Sequence, residues 1–195
     1  PDNLVESELG MIPEGWEWAS LKSLSTTISK GTTPNKKQLS DAADLPTIPF
    51  IKVKDITKAH ELSREGLTLI PESVHRLPLN RSILNEDDLL FSIAGTIGRS
   101  SIVDKDLADS NINQAIAFIR LSNPNIHLPL VRLNLMSDRI QNEVQSMVVQ
   151  GVQANASLKT IGARLILVPK SPLLDMCNSI LSPILNLMRQ NSSES

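Results

Sequence analysis

Gln114-Ala115-Ile116-Ala117-Phe118-Ile119-Arg120-Leu121 is apolar almost throughout. A run of this kind suits a strand covered on both faces, at the centre of a sheet. Upstream, Leu89-Leu90-Phe91-Ser92-Ile93-Ala94 gives a second strand, and Ser101-Ile102-Val103 resumes an apolar run. Gly95-Thr96-Ile97-Gly98 between them predicts a tight bend or bulged hairpin. Pro49 to Ile56 alternates apolar and polar residues. That pattern predicts a half-buried strand with Ile51, Val53 and Asp55 on one face and Lys52, Lys54 and Ile56 on the other.

Downstream, Leu130, Leu133, Met136, Ile140, Val144, Met147 and Val148 keep helical spacing behind Pro129, which suits a first helical position. An interruption is expected at Ser137 and an end at Gly151. Arg164 to Val168 reads as a last strand, stopped by Pro169. Ser171 and Pro172 have the chemistry of an N-cap and first helical residue. The helix they open carries Leu173, Met176, Ile180, Ile184 and Leu187, a stripe greasy enough to want a partner, with Pro183 expected to kink it.

Near the start, Leu21, Leu24 and Ile28 predict a short amphipathic helix over 19–29, stopped by Gly31. Residues 31–37 then read as a turn and exposed loop, and Ile12-Pro13-Glu14-Gly15-Trp16 as a turn. The expected fold class is α/β (α+β), a single globular domain with a mixed, mainly β core and flanking helices. Its divisions are a loose lead-in over 1–12, the domain proper over 13–170, and a C-terminal helix and polar tail over 171–195.

The 195 residues carry 19 Lys and Arg against 21 Asp and Glu, a net charge of −2. The small total hides segregation. Residues 1–21 carry −5, residues 22–85 +4, residues 86–109 −4 and residues 110–195 +3. Two basic blocks are thus available for one face, although the same counts also suit scattered surface charge. Aromatics are 3% with no Tyr, too few for base stacking along a single strand. One cysteine, Cys177, excludes an internal disulfide and the common thiolate zinc sites, and fits a reducing compartment. The longest uncharged run, 144–158, is too short and polar for a bilayer, which needs about 20 apolar residues. Five acids precede the first base, Lys22, the reverse of a signal peptide. A soluble, intracellular protein is expected.

Catalytic patterns fail in turn. There is no phosphate loop of the Gly-x-x-x-x-Gly-Lys-Ser/Thr kind, no dinucleotide fingerprint and no Gly-x-Ser-x-Gly elbow. His60, His75 and His127 are isolated, lack metal spacing and read as surface or edge residues. Glu86-Asp87-Asp88 reads as a solvated turn, and Asn123-Pro124-Asn125 as a loop. No catalytic and no metal residue is expected.

Ordered along the chain are Ile12-Pro-Glu-Gly-Trp16, Gly31-Thr-Thr-Pro34, Ile48-Pro-Phe-Ile51 with Asp55-Ile56, Leu90-Phe-Ser92 with Gly95-Thr-Ile-Gly98, and Asn113-Gln114; then come Gly151, Leu165, Val168-Pro169 and Pro172. In this order and spacing, over about residues 9–185, the chain resembles the target recognition domain of a type I restriction–modification DNA specificity subunit. The resemblance implies a non-catalytic protein of the prokaryotic cytoplasm that reads one half-site of a split double-stranded DNA target. Helices between two such domains space the half-sites and dock methyltransferase subunits, and a restriction subunit joins them. S-adenosylmethionine, ATP and magnesium then belong to the partners, and this chain holds no cofactor. With one recognition domain, the chain is either a fragment or a half-subunit that pairs with another, including a homodimer through its last helix.

DNA contact falls to Lys30, Lys36, Lys37, Lys52, Lys54 and the nearby Lys58 as phosphate binders, with Thr32 in the Gly31-Thr-Thr-Pro34 turn. Gln150, Gln153 and Asn155 around Gly151, and Arg99 behind the glycine bend, have the amide and guanidinium chemistry that reads base edges. Each also suits an ordinary polar surface. Asn113 and Gln114 are expected to hold a buried turn instead. The alternative function is a protein-interaction module acting through the stripe Leu173, Met176, Ile180, Ile184 and Leu187. A basic face shared by residues 30–58 and 150–164 would favour DNA.

Overall fold

The computed structural model describes residues 3–142 and 157–170, and positions 173, 176–177, 179–180, 183–184 and 186–187 of the C-terminal segment. The organising strand is the expected one. β10 (Ile116–Leu121) lies between β4 (Ser25–Lys30) and β7 (Leu89–Ser92) in an antiparallel sheet ordered β4-β10-β7-β8, with β8 at Ser100–Ile102. Its side chains alternate between two cores. Ala117, Ile119 and Leu121 join the cluster of Leu89, Phe91, Leu128, Val131 and Ile166, whereas Ile116 and Phe118 join Ile51, Leu90, Val103 and Ile112. Both faces are covered, so the strand has no polar side to show. Each such buried Leu, Ile or Phe contributes about 2 kcal/mol.

The first core is closed by α3 (Pro124–Met136) and by β11 (Leu165–Pro169), which pairs antiparallel with β3 (Trp16–Ser20). The second leads to a smaller sheet, β6-β5-β9, with β5 at Pro46–Ile51, β6 at Thr68–Pro71 and β9 at Asn111–Ile112. There β5 and β9 run parallel, Ile51 facing Ile112. α2 (Glu72–Arg76) covers a third cluster of Phe50, Ile70, Val74 and Leu79.

Several expectations are corrected. Residues 19–29 form the end of β3, a turn and β4, not a helix. Ser25-Thr26-Thr27-Ile28 is rich in β-branched residues, and the edge of β10 offers it an antiparallel ladder with one bulge. The lead-in is a hairpin, β1 (Leu4–Ser7) against β2 (Gly10–Pro13), pinned where Trp18 Nε1 donates to Ser7 Oγ at 3.0 Å. The strand expected over 49–56 starts at Pro46 and stops at Ile51. Asp55 folds back in a 3-10 turn to accept from the Lys52 amide at 2.8 Å, so Asp55 and Ile56 are both buried. The long helix starts at Pro124, not Pro129, which lies buried inside it. Asn123-Pro124-Asn125 is therefore a helix start. The break at Ser137 is present, and residues 138–142 are helical again.

Two buried polar groups were misjudged as surface. Asp88 is 1% exposed; it accepts from Arg120 Nε at 2.9 Å and Nη2 at 2.7 Å and caps the Asn85 amide at 2.8 Å. Arg120 is the one polar side chain of β10, and Asp88 is its counter-ion. His75 is fully buried. In the amide orientation that satisfies both ends, Asn111 accepts from His75 Nδ1 at 2.5 Å and donates to Ser82 Oγ at 2.7 Å. Burial pushes the His75 pKa below the ordinary value, and Arg76 adds to the effect, while Asp109, 3.4 Å from Nε2, opposes it. His60 and His127 are shifted down too, chiefly by burial.

Asp88→Ala leaves Arg120 without its partner and is expected to cost about 3 kcal/mol, read as a lower denaturant midpoint at unchanged slope. For the histidines, the unfolded chain binds protons below about pH 6.5 that the buried rings resist, so stability falls as pH drops through that value. The melting midpoint is expected to fall between about pH 7.5 and 5.5, and less steeply in His75→Gln; a flat profile would contradict the burial argument.

Candidate nucleic-acid interface

The segment Ile112–Ile116 joins the two sheets, and three distant stretches meet on it. The Gly31 amide donates to the Ile116 carbonyl at 3.1 Å, and the Asn113 amide to the Ile51 carbonyl at 3.1 Å. The Ile93 amide donates to the Ala115 carbonyl at 2.8 Å. At residue 31 a Cβ would collide with the carbonyl oxygens of Ile112 and Asn113, so only glycine permits this approach. The sequence fragments Gly31-Thr32-Thr33, Ile51-Lys52, Ala94-Gly95 and Asn113-Gln114 are thus brought to one junction.

The side chains around this crossing are polar. Arg81 Nη2 donates to Thr32 Oγ1 at 2.9 Å, and the Thr33 hydroxyl donates to the Gln114 side-chain carbonyl. Lys30 ends β4 beside it, and Lys52 follows Ile51. Beyond Pro34, Asn35 forms a capping box with Gln38, both bonds 2.8 Å, and holds α1 (Lys36–Ser40). Lys36 and Lys37 stand exposed on its first turn, with no acid among the first-turn residues. Lys30 and Thr32 flank Gly31 at the crossing, Lys52 follows Ile51 there, and Lys36 and Lys37 stand on α1 a few residues further along the chain.

Two other candidates are engaged differently. Arg99 is half-buried, and its Nη1 donates to the Ile56 carbonyl at 2.7 Å, fixing the glycine bend to the 56–60 segment. Lys54 is exposed but lies 3.4 Å from buried Asp55. Lys58 is exposed. The bend itself is rigid: Ser92 Oγ donates to the Thr96 carbonyl at 2.6 Å and accepts from the Arg99 amide at 2.8 Å, and Gln141 Nε2 donates to the Gly98 carbonyl at 3.0 Å. Gly95 and Gly98 have positive φ, as backbone devices. Gln150, Gln153 and Asn155 lie outside the described residues.

Sequence reasoning missed Arg81 and misplaced Gln114. Arg81 is 49 residues from its Thr32 partner, and nothing local marks it. Gln114 is exposed rather than buried, which its place just before an apolar strand could have signalled. Among the described residues no group of three or more His, Cys, Asp and Glu could hold a metal ion, and no helix is long and apolar enough to cross a membrane. At the C-terminus, Leu173 packs over Gly15; Met176, Ile180 and Leu187 are exposed, and Ile184 is half-buried.

Solved structures share this fold. The HsdS subunit from Thermoanaerobacter tengcongensis is 14% identical with a TM-score of 0.52, over 91% of this chain and 39% of that one. The type I restriction–modification S subunit from M. genitalium is 11% identical with a TM-score of 0.55, over 93% and 41%. A chain from a study of complex assembly and conformational transition in the type I R-M system is 14% identical with a TM-score of 0.54, over 94% and 42%. This chain spans about two fifths of each of these proteins. The family model described as the type I restriction modification DNA specificity domain matches residues 13–176, and the chain belongs to that family.

Proposed function

We propose that this chain recognises one half-site of a split double-stranded DNA target, as the specificity component of a type I restriction–modification complex. The observation that supports the reading is the crossing itself, where Arg81 meets Thr32 and Thr33 meets Gln114, with Lys30 and Lys52 next in sequence to its backbone bonds and Lys36 and Lys37 exposed on α1. Exposed lysines there supply phosphate contacts, and the amide of Gln114 stands among them. Coverage of about two fifths of the structurally similar subunits suits one recognition domain rather than two.

In this reading the chain is not an enzyme and works in the prokaryotic cytoplasm on DNA. Methyltransferase and restriction subunits carry S-adenosylmethionine, ATP and magnesium. The exposed stripe Met176, Ile180 and Leu187 serves association, either with those subunits or with a second copy of the chain. That stripe also favours the second reading, an interaction module acting through this helix alone.

Replacing Lys36 and Lys37 with Ala is expected to weaken binding to duplexes of any sequence and to lower the slope of log affinity against log salt by about 1 per lysine. An unchanged slope removes both from the interface. Gln153→Ala is expected to alter which half-site is modified, read by sequencing methylated sites in cells carrying the assembled system. Unchanged methylation and affinity would remove Gln153 from base reading.

A further inference from the structure

Away from the crossing, a short helix, α4 (Leu158–Gly162), stands between two open cavities. The smaller, about 430 Å³, is lined by Arg139, Lys159, Thr160 and Arg164 among others. The larger, about 570 Å³, is lined by Ser20, Lys22, Ser25, Thr26, Ile28 and Lys159, with others. Lys159 borders both. Among the described residues neither lining contains an acid. The Lys22 amide donates to the Gly162 carbonyl at 2.8 Å, which holds the backbone of Lys22 against α4.

The strand β4 runs from this α4 ridge to the crossing. Side chains two apart on a strand share a face. Ile28, which lines the larger cavity, therefore shares a face of β4 with Lys30. The pairing agrees, since Ile28 opposes Ile119 and Lys30 opposes Ala117, both on the first core. Arg139 and Lys159 line the smaller cavity, Lys22 and Lys159 the larger, and Lys30 lies at the far end of β4.

We propose that the α4 ridge is a second phosphate-binding surface, which takes the sugar–phosphate backbone of the same duplex flanking the half-site. It rests on the proposed DNA reading and extends it to residues outside the crossing. A small anion would fill one cavity. Two cavities on either side of a helix about 10 Å wide, each with its own cation and a shared lysine, suit a ligand with regularly repeated negative charge.

The test is binding of the full chain to a short labelled duplex of arbitrary sequence, measured by anisotropy over a salt series. Lys22→Ala with Lys159→Ala is expected to lower the log–log slope by about 2, near 0.9 per lost contact, with the circular dichroism unchanged. Lys22→Arg with Lys159→Arg is expected to keep the slope. An unchanged slope in the Ala pair, beside a reduced one in Lys36→Ala with Lys37→Ala, overturns the ridge and leaves the crossing as the interface. Unchanged slopes in both pairs overturn the DNA reading as well. A slope lost equally in the Arg pair assigns the effect to packing and also overturns the ridge.

Discussion

Gly31 lies so close to the carbonyls of Ile112 and Asn113 that no side chain fits between them. Much of the molecule follows from this approach. It lets the end of β4 pass over the connection between β9 and β10, so the four-stranded sheet and the three-stranded sheet share one junction. The second hydrophobic core draws on both sides of it, Ile51 and Ile112 from one sheet and Ile116 and Phe118 from the other. A bulkier residue would push apart the parallel pairing of β5 and β9, which is only two residues long.

The same crossing explains why residues more than eighty positions apart act together. Thr33 meets Gln114, Arg81 meets Thr32, and the glycine bend hangs on Ala115. Backbone hydrogen bonds place these loops, and the side chains they carry are left facing outward. The result is a backbone-fixed junction beneath polar side-chain tips.

The fold was legible where burial controls the pattern. Residues 116–121 are apolar on both faces because both faces are packed, and the hairpin around Gly95 and Gly98 follows from its two positive-φ glycines. It was illegible where tertiary partners override local preference. Leu21, Leu24 and Ile28 have helical spacing by coincidence, since the first two cap a turn into the core and the third belongs to a strand. Asp88 looked solvated because its counter-ion, Arg120, is 32 residues away. His75 looked peripheral because its partner Asn111 is 36 residues away. At the candidate site the lysines were legible as a basic block, while Arg81 was not, because a partnership of that range leaves no periodic trace.

A net charge of −2 is no obstacle to binding a polyanion here, because acids and bases are spent differently. Asp88 and Asp104 are buried on Arg120 and Arg64, and Asp109 is held by Arg76. Asp44 is held by Ser73, which keeps its carboxyl below the usual range, and Asp55 caps its own turn. These acids cancel arginines or serve the backbone. By contrast Lys22, Lys30, Lys36, Lys37, Lys58 and Lys159 are all exposed. Several unmatched acids, Glu6, Glu8, Glu14 and Glu17, lie on the N-terminal hairpin and β3. Within a Debye length of about 8 Å at physiological salt, a ligand responds to its local surface and not to the sum of the chain.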